Sequence, residues 1–197
     1  MARPKLPLDP QRKKALVDAA RDEFAANGFE RSSLNRILIA TDFSKSSFYH
    51  YFPDKEALFD AVLEAGVAEL PNDLRLPDLA AATGDEFWER LREFDVKLQA
   101  IVSSGSAVLA TGTLLHLADA PRTPTLVLFE RRMLRELDRV LRAGRRNGAI
   151  DTTIPLALQR RLLIAVAIEA DKWVLKGGVS GAASEAAFRA IYRLLAG

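Results

Sequence analysis

The sequence predicts an all-α protein: a three-helix head, a connecting helix and a larger helical body. Apolar residues recur at helical spacing along most of the chain. Helix caps and stops punctuate them, and alternating strand patterns are absent. Asp9-Pro10 supplies an N-cap followed by proline in a first turn, and Asn27-Gly28 supplies a stop. Between them Leu16, Ala20 and Phe24 repeat at i, i+4 and i+8 on one face. Ser32 is placed to cap a second helix, which carries Leu34, Ile37 and Leu38 inward and ends near Thr41-Asp42. Ser44 is placed to cap a third, very short helix over 45–52, and Pro53-Asp54 starts a fourth that runs to Pro71.

The segment "PNDLRLPDLAAATG" at 71–84 has two prolines and small residues, and reads as the connection into a second unit. Beyond it helices are expected at 85–103, 106–118, 124–146, 155–176 and 182–195. Their breaks are Gly105, "DAPRTP" at 119–124, "NGAIDTT" at 147–153 and "GGVSG" at 177–181. No internal repeat or low-complexity tract interrupts the series.

Composition narrows the function. With 197 residues, 49% hydrophobic and 27% charged, the chain has enough apolar material for a packed core. The longest apolar run, Leu162 to Ile168, is far shorter than the roughly 20 residues a membrane span needs. The opening "MARPKLPLDP" lacks an apolar export segment, so a cytoplasmic protein without membrane partners is expected. Absence of cysteine excludes disulfides, thiolate metal sites and cysteine nucleophiles. With two histidines, no metal-ligand spacing, no phosphate-cradling glycine loop and no GxSxG elbow, neither an enzyme nor a cofactor is expected. Residues 1–55 carry ten Lys/Arg against seven Asp/Glu, whereas the remainder carries 18 against 19. That mild N-terminal excess suggests a polyanionic partner.

The stretch "DFSKSSFYHYF" concentrates Phe43, Phe48, Tyr49, Tyr51 and Phe52 among serines, Lys45 and His50. Taking Lys45 as zero on a helix at about 100° per residue, Phe48 falls near 300°, Phe52 near 340° and Tyr51 near 240°. Lys45, Ser46, Tyr49 and His50 occupy the opposite side, within roughly 0–140°. One side is an apolar foot and the other a row of hydrogen-bonding groups. A helix this short cannot stand alone, since isolated helices need about 12–15 residues to be even marginal. The rings must pin it to the first two helices. Two readings fit this periodicity: a helix presented to the DNA major groove, or an exposed amphipathic helix of an ordinary bundle.

Residues 28–59, "GFERSSLNRILIATDFSKSSFYHYFPDKEALF", resemble the DNA-binding region of the tetracycline-repressor (TetR) family of transcriptional regulators. The likeness extends back through the first helix to about Asp9. Its elements are the Gly28 stop, Ser32-Ser33, Ile37, the Ser44-Lys45 turn, the "FYHYF" block at 48–52 and "KEALF" after it. Three positions depart from the family pattern. Asp42 stands at a turn usually held by glycine, Leu38 where a small alanine is common, and Ser46 where glycine is frequent.

The resemblance implies an N-terminal helix-turn-helix DNA-binding domain over 9–70, with the motif at about 33–52, and a C-terminal helical ligand-binding and dimerisation domain over 71–197. It implies DNA contacts from Ser33, Arg36, Lys45, Ser46, Ser47, Tyr49, His50 and Lys55. Lys45 and Ser47 are expected to read bases, and Tyr49 and Lys55 to position the phosphate backbone. His50 also fits a partly packed structural role, and Tyr51 fits an anchor better than a phosphate contact. Arg3, Lys5, Arg12, Lys13 and Lys14 form either a groove-seeking arm or a solvated basic tail.

In the body, Leu162, Leu163, Val166, Ala167, Ala170, Trp173 and Val174 fill one arc of the helix at 155–176, and Ile164, Ile168 and Leu175 form a second ridge. A helix apolar on two sides needs two neighbours. Helix 182–195 adds Ala187, Phe188, Ile191, Leu194 and Leu195. By resemblance this pair, about 155–176 and 182–195, forms a four-helix homodimer interface, so that two recognition helices read a palindromic operator on double-stranded DNA. Burial of the pair within one subunit is the alternative.

Arg131, Arg135, Arg139, Arg142 and Arg146 form a stripe on helix 124–146, expected to be a solvated face balanced by Glu136 and Asp138. Glu130 and Asp171 sit among apolar neighbours one turn away, so each needs a partner, in the protein or in a ligand. The resemblance also implies a small hydrophobic or amphipathic effector among the body helices. Candidates to line its pocket are Trp88, Thr113, His116, Phe129, Glu130, Met133, Asp171 and Trp173, each of which fits ordinary packing as well. In the family such an effector shifts the fourth helix and spoils half-site spacing, so a ligand-released repressor is expected. The competing expectation is a ligand-independent architectural dimer, whose body only dimerises.

Overall fold

The computed structural model describes residues 8–71, 75–103, 105–176 and 181–196. Those residues form nine helices and no strand, as the fold class requires: α1 (Pro10–Arg31), α2 (Leu34–Ala40), α3 (Lys45–Tyr51), α4 (Lys55–Ala68), α5 (Gly84–Ser103), α6 (Ser106–Leu115), α7 (Pro124–Arg146), α8 (Leu156–Lys176) and α9 (Gly181–Ala196). They fall into two compact units. The first holds the residues up to Glu69 together with Ala110–Leu126; the second holds Leu70–Leu109 and the residues from Val127 onward.

Caps set the head helices. The Asp9 carboxylate accepts from the Arg12 N–H at 3.0 Å, and Pro10 opens α1. At Gly28 the chain leaves helical geometry with φ 75° and ψ 173°, a region essentially reserved for glycine. A side chain there would also meet the Asp119 carboxylate at 2.9 Å. After this kink Ser33, rather than Ser32, caps α2, accepting from the Arg36 N–H at 3.3 Å. The Ser32 hydroxyl is buried and donates back to the Phe29 carbonyl at 2.6 Å, so it is not free to cap. Asp42 takes the turn with φ 48°, a conformation that aspartate tolerates. Ser44 then caps α3 through the Ser47 N–H (3.0 Å), and Asp54 caps α4 through the Ala57 N–H (2.8 Å).

These helices close on one core. Leu16, Phe24, Ile37, Phe48, Leu58 and Phe59 are completely enclosed, and Leu38 is accommodated beside them. Phe24, Phe29 and Phe59 meet with centroids 5.2 to 5.8 Å apart, tying α1 to α4. Arg21, 4% exposed, bonds Glu69 across the same pair of helices at 2.9 Å and lies 3.5 Å from Asp18. Those two carboxylates offset the charge of the buried guanidinium, while its Nε is buried without a hydrogen-bond partner.

Residues 110–126 belong to this unit by packing, although a division at 70/71 assigns them to the body. Leu114 and Leu126 are buried in the head core. Thr111 approaches Gly66 so closely that a Cβ there would lie 2.2 Å from its hydroxyl. Asp119 accepts from the Glu30 N–H at 2.9 Å, and Asp60 accepts from the Thr125 N–H, also at 2.9 Å. None of these pairings follows from local sequence, which is why they were not expected.

The second unit has its own core of Leu79, Phe87, Val140, Leu141, Ile150, Leu163 and Leu195, with α9 packed against both α8 and α5. The described part of segment 71–84 contributes Leu79 and Ala82 to it, so it is packed and not merely a connection. Arg145 and Gln159 pin the turn after α7, bonding each other at 2.8 Å and the carbonyls of Ile154 (2.9 Å) and Asp151 (3.0 Å), respectively. The "GGVSG" break at 177–181 lies outside the described residues apart from Gly181.

Phe48→Ala is expected to destabilise the head by about 3–5 kcal/mol, the range for emptying a buried phenylalanine site. Ile39, 81% exposed on α2, should tolerate alanine within about 0.5 kcal/mol. Urea unfolding followed by circular dichroism checks both, and equal losses would contradict this account of the core.

Candidate nucleic-acid interface

The site is built outward from two rings. Phe48 has no exposed surface and Phe52 has 8%; their rings stack at 5.5 Å beneath α3. With that side buried, the helix turns Lys45, Ser46, Tyr49 and His50 to solvent. Tyr49 is 50% exposed, yet its ring stands edge-on against Phe48 at 5.2 Å, which limits its rotamers. His50 is exposed and rests edge-on against half-buried Tyr51 at 4.9 Å; Tyr51 in turn contacts buried Phe43 at 6.5 Å. Ser46, Ser47, Tyr49, His50 and Tyr51 line an open depression of about 490 Å³. The polar groups are thus held by packing while their hydrogen-bonding atoms face outward.

The remaining sequence candidates are placed differently from one another. Ser47 is half-buried, and its hydroxyl accepts from the Ser44 hydroxyl at 2.8 Å, coupling it to the cap. Ser33 is half-buried at the α2 cap. Arg36 is exposed but bonds Glu23 of α1 at 2.5 Å, while the same carboxylate accepts from the Ser33 N–H at 2.7 Å. Glu23, absent from the sequence candidates, therefore fastens the entrance of α2 to α1.

Lys55 was expected to reach DNA phosphate. Its ammonium instead donates to the Phe29 carbonyl at 2.7 Å, with Ser32 and Glu30 carbonyls at 3.3 and 3.4 Å, and lies 4.4 Å above the Phe29 ring. The chain end left open by the Gly28 kink needs donors, and this lysine supplies them. Of the N-terminal cations, Arg12 sits 5.1 Å over the Phe43 ring and donates to the Asp42 carbonyl at 3.4 Å, and Lys14 pairs with Asp18 at 2.5 Å. Lys13 is exposed, and Arg3 and Lys5 lie outside the described residues.

Two acids of the head have carboxyls held below the usual range. Glu23 is lowered chiefly by its hydrogen bond with Arg36, which outweighs the opposing effect of burial, and further by the Ser33 N–H. Asp119 is lowered chiefly by the Glu30 N–H, with the Phe29 N–H adding to it.

The eight effector candidates do not gather within one unit. Thr113 and His116 belong to the first and the other six to the second. Trp88 is half-buried and donates to the Ala149 carbonyl at 3.0 Å. Phe129 and Glu130 are half-buried; Met133, Asp171 and Trp173 are exposed. Asp171 therefore escapes the burial cost expected of it, and neither it nor Glu130 is without a partner. Sequence reading missed Asp95 on α5, whose carboxyl is pushed up mainly by burial, with Glu185 and Asp171 adding repulsion and a Gln99 bond at 2.5 Å opposing it. Among the described residues no group of three or more His, Cys, Asp or Glu side chains could hold a metal ion.

A capped helix, a tight turn and a second helix over Ser33–Phe52, set on α1 and opening through α4 into a helical body, define a helix-turn-helix protein. Residues 16–62 match the bacterial regulatory proteins of the tetR family. The HTH-type transcriptional regulator RutR of Escherichia coli strain K12 is 44% identical over 52 residues, 26% of this chain and 24% of that protein. The match thus spans about a quarter of that relative's length. The HTH-type transcriptional repressor KstR2 of Rhodococcus jostii strain RHA1 is 27% identical over 168 residues, 85% of this chain and 81% of the relative. Among solved structures, the transcriptional regulator FadR from Bacillus subtilis, in complex with stearoyl-CoA, superposes with a TM-score of 0.64 at 19% identity, covering 91% of this chain and 97% of that one. The chain thus carries, at residues 16–62, the region that matches the tetR family of bacterial regulatory proteins.

Lys55→Ala should lower head stability by about 1–3 kcal/mol, because part-buried carbonyls lose a charged donor. Lys45→Ala, at an exposed position without such bonds, should stay within about 0.5 kcal/mol. Denaturant melts separate the two. Glu23 contributes stability that is fully present above its unfolded pKa and is lost as pH falls through its lowered folded value. Glu23→Gln should therefore flatten the acid-side loss of stability, which begins near the ordinary glutamate value of 4.5 and extends below it. A wild-type and variant pair with identical slopes there would remove Glu23 from this role.

Proposed function

We propose that this protein is a transcriptional regulator, acting as a repressor, that binds a pseudo-palindromic operator as a homodimer and is released by a small hydrophobic or amphipathic effector. The observation that carries the reading is the division of α3 into a buried aromatic side and an exposed side of Lys45, Ser46, Tyr49 and His50. A rigid helix with mixed donors and acceptors can enter a major groove about 12 Å wide and meet base edges there. Lys45 and Ser46 are the base-reading candidates, with Ser47 coupled to the helix cap; Tyr49 and Arg36 reach phosphate. Lys55 acts indirectly, by holding the kink beneath the motif.

A seam on α8 supports the dimer. Leu158, Leu162, Ala165 and Trp173 share one face and are all exposed, with Leu158 at 49% and Trp173 at 54%. Such an apolar row fits a self-complementary contact with a two-fold axis, and a two-fold axis demands a two-fold operator. The domains follow the same reading, with DNA binding over 9–70 braced by 110–126 and dimerisation by α8 and α9.

Selection of bound fragments from random duplexes, followed by titration at several salt concentrations, tests this. An inverted repeat should emerge, and the double variant Lys45→Ala/Tyr49→Ala should bind it at least about tenfold more weakly while remaining folded. Leu162→Glu should sediment as a monomer and lose the inverted-repeat preference. Full affinity in the double variant, or enrichment of no sequence, would defeat the proposal; the latter is the signature of an architectural binder.

A further inference from the structure

On the second unit α5 and α9 border an open groove of about 570 Å³, a volume suited to a drug-sized molecule. Its floor is aromatic. Trp88 is fixed from behind by its bond to the Ala149 carbonyl at 3.0 Å and by Phe87, edge-on at 5.2 Å. Tyr192 meets the indole at 4.8 Å and 73°, and Phe188 meets it at 6.5 Å and 89°. Phe188 and Tyr192 are each edge-on to Trp88, and all three rings border the groove. That arrangement attracts cations, and quaternary ammonium groups above all.

The charges along the groove favour the same kind of guest. Arg92 and Arg189 both engage Glu185, at 2.6 and 3.5 Å, so neither is free to repel a cation fully. Asp85 and Glu89, which flank Trp88 on α5, are exposed and make no ion pair among the described residues. The lining therefore holds three carboxylates against two guanidiniums. On α9 the groove residues lie on the side facing α5, whereas Ala182, Ala186 and Ala190 are exposed on another.

We propose that this groove binds a small organic cation, a quaternary or protonated amine bearing an apolar group. Trp88, Phe188 and Tyr192 enclose the cationic head, and Asp85 and Glu89 supply the opposing charge at the rim. Binding here names the chemical class of an effector only when it also weakens operator affinity, which rests on the regulator reading; occupancy itself does not.

The test titrates the unaltered full chain by calorimetry. Benzyltrimethylammonium should bind saturably, with a dissociation constant on the order of 1 mM or tighter. Benzenesulfonate, of similar shape and opposite charge, should not. Asp85→Asn/Glu89→Gln, two exposed changes that leave the core intact, should weaken the cation by about fivefold. Phe188→Leu should weaken it further with the helical signal unchanged. Equal response to both probes, an unaltered double variant, or no saturable response to the cation overturns the proposal. No DNA is present, so such a failure is distinct from failure of the regulator reading.

Discussion

Seven residues of helix cannot hold themselves together in water, yet α3 has to be rigid to present a fixed set of atoms. The burial of Phe48 and Phe52 resolves this conflict. Each phenylalanine taken out of water contributes roughly 1.5–3 kcal/mol, comparable to the cost of ordering one or two residues. The rings also do more than stabilise: because Phe48 has no free surface, the rotation of α3 about its axis is fixed, and with it the direction of Lys45, Ser46, Tyr49 and His50. The outward chemistry is a consequence of the inward packing.

The supports of α3 are polar and come from farther away. Glu23 grips Ser33 and Arg36, Lys55 fills the carbonyls left by the Gly28 kink, and Arg12 covers Phe43. These side chains belong to a motif that reads as DNA-binding, but several spend their charge inside the protein. A basic residue next to a recognition helix can serve the fold as readily as the ligand, and geometry separates the two. The same holds for the body. Glu136 lies 2.6 Å from Arg139 and Asp138 3.4 Å from Arg160, so the balance expected for the α7 arginine stripe is only partly local.

What the sequence made legible was periodic or capped. The faces of α3, the Ser44 cap, the turn at Asp42 and the order of helices among the described residues follow from spacing and residue chemistry within a few positions. Ser32 and Ser33 show where that resolution ends: two adjacent hydroxyls are equivalent candidates until the Gly28 kink turns one inward. Lys55 and Glu23 needed partners 26 and 10 residues away, respectively, and local pattern carries no such information. The eight effector-pocket candidates are divided between the two units, since helix phase alone does not say which helices are neighbours. Trp88 found its partners on α9, about a hundred residues on.

The brace formed by residues 110–126 has a consequence for modularity. Leu114 and Leu126 complete the same apolar interior as Phe59, and Asp119 and Asp60 tie that plug at its middle and at its far end. A reading head cut out at residue 70 would carry an open socket where the plug had been. Grafting this specificity onto a foreign body thus means transplanting two separated pieces of chain, and natural recombination would face the same obstacle.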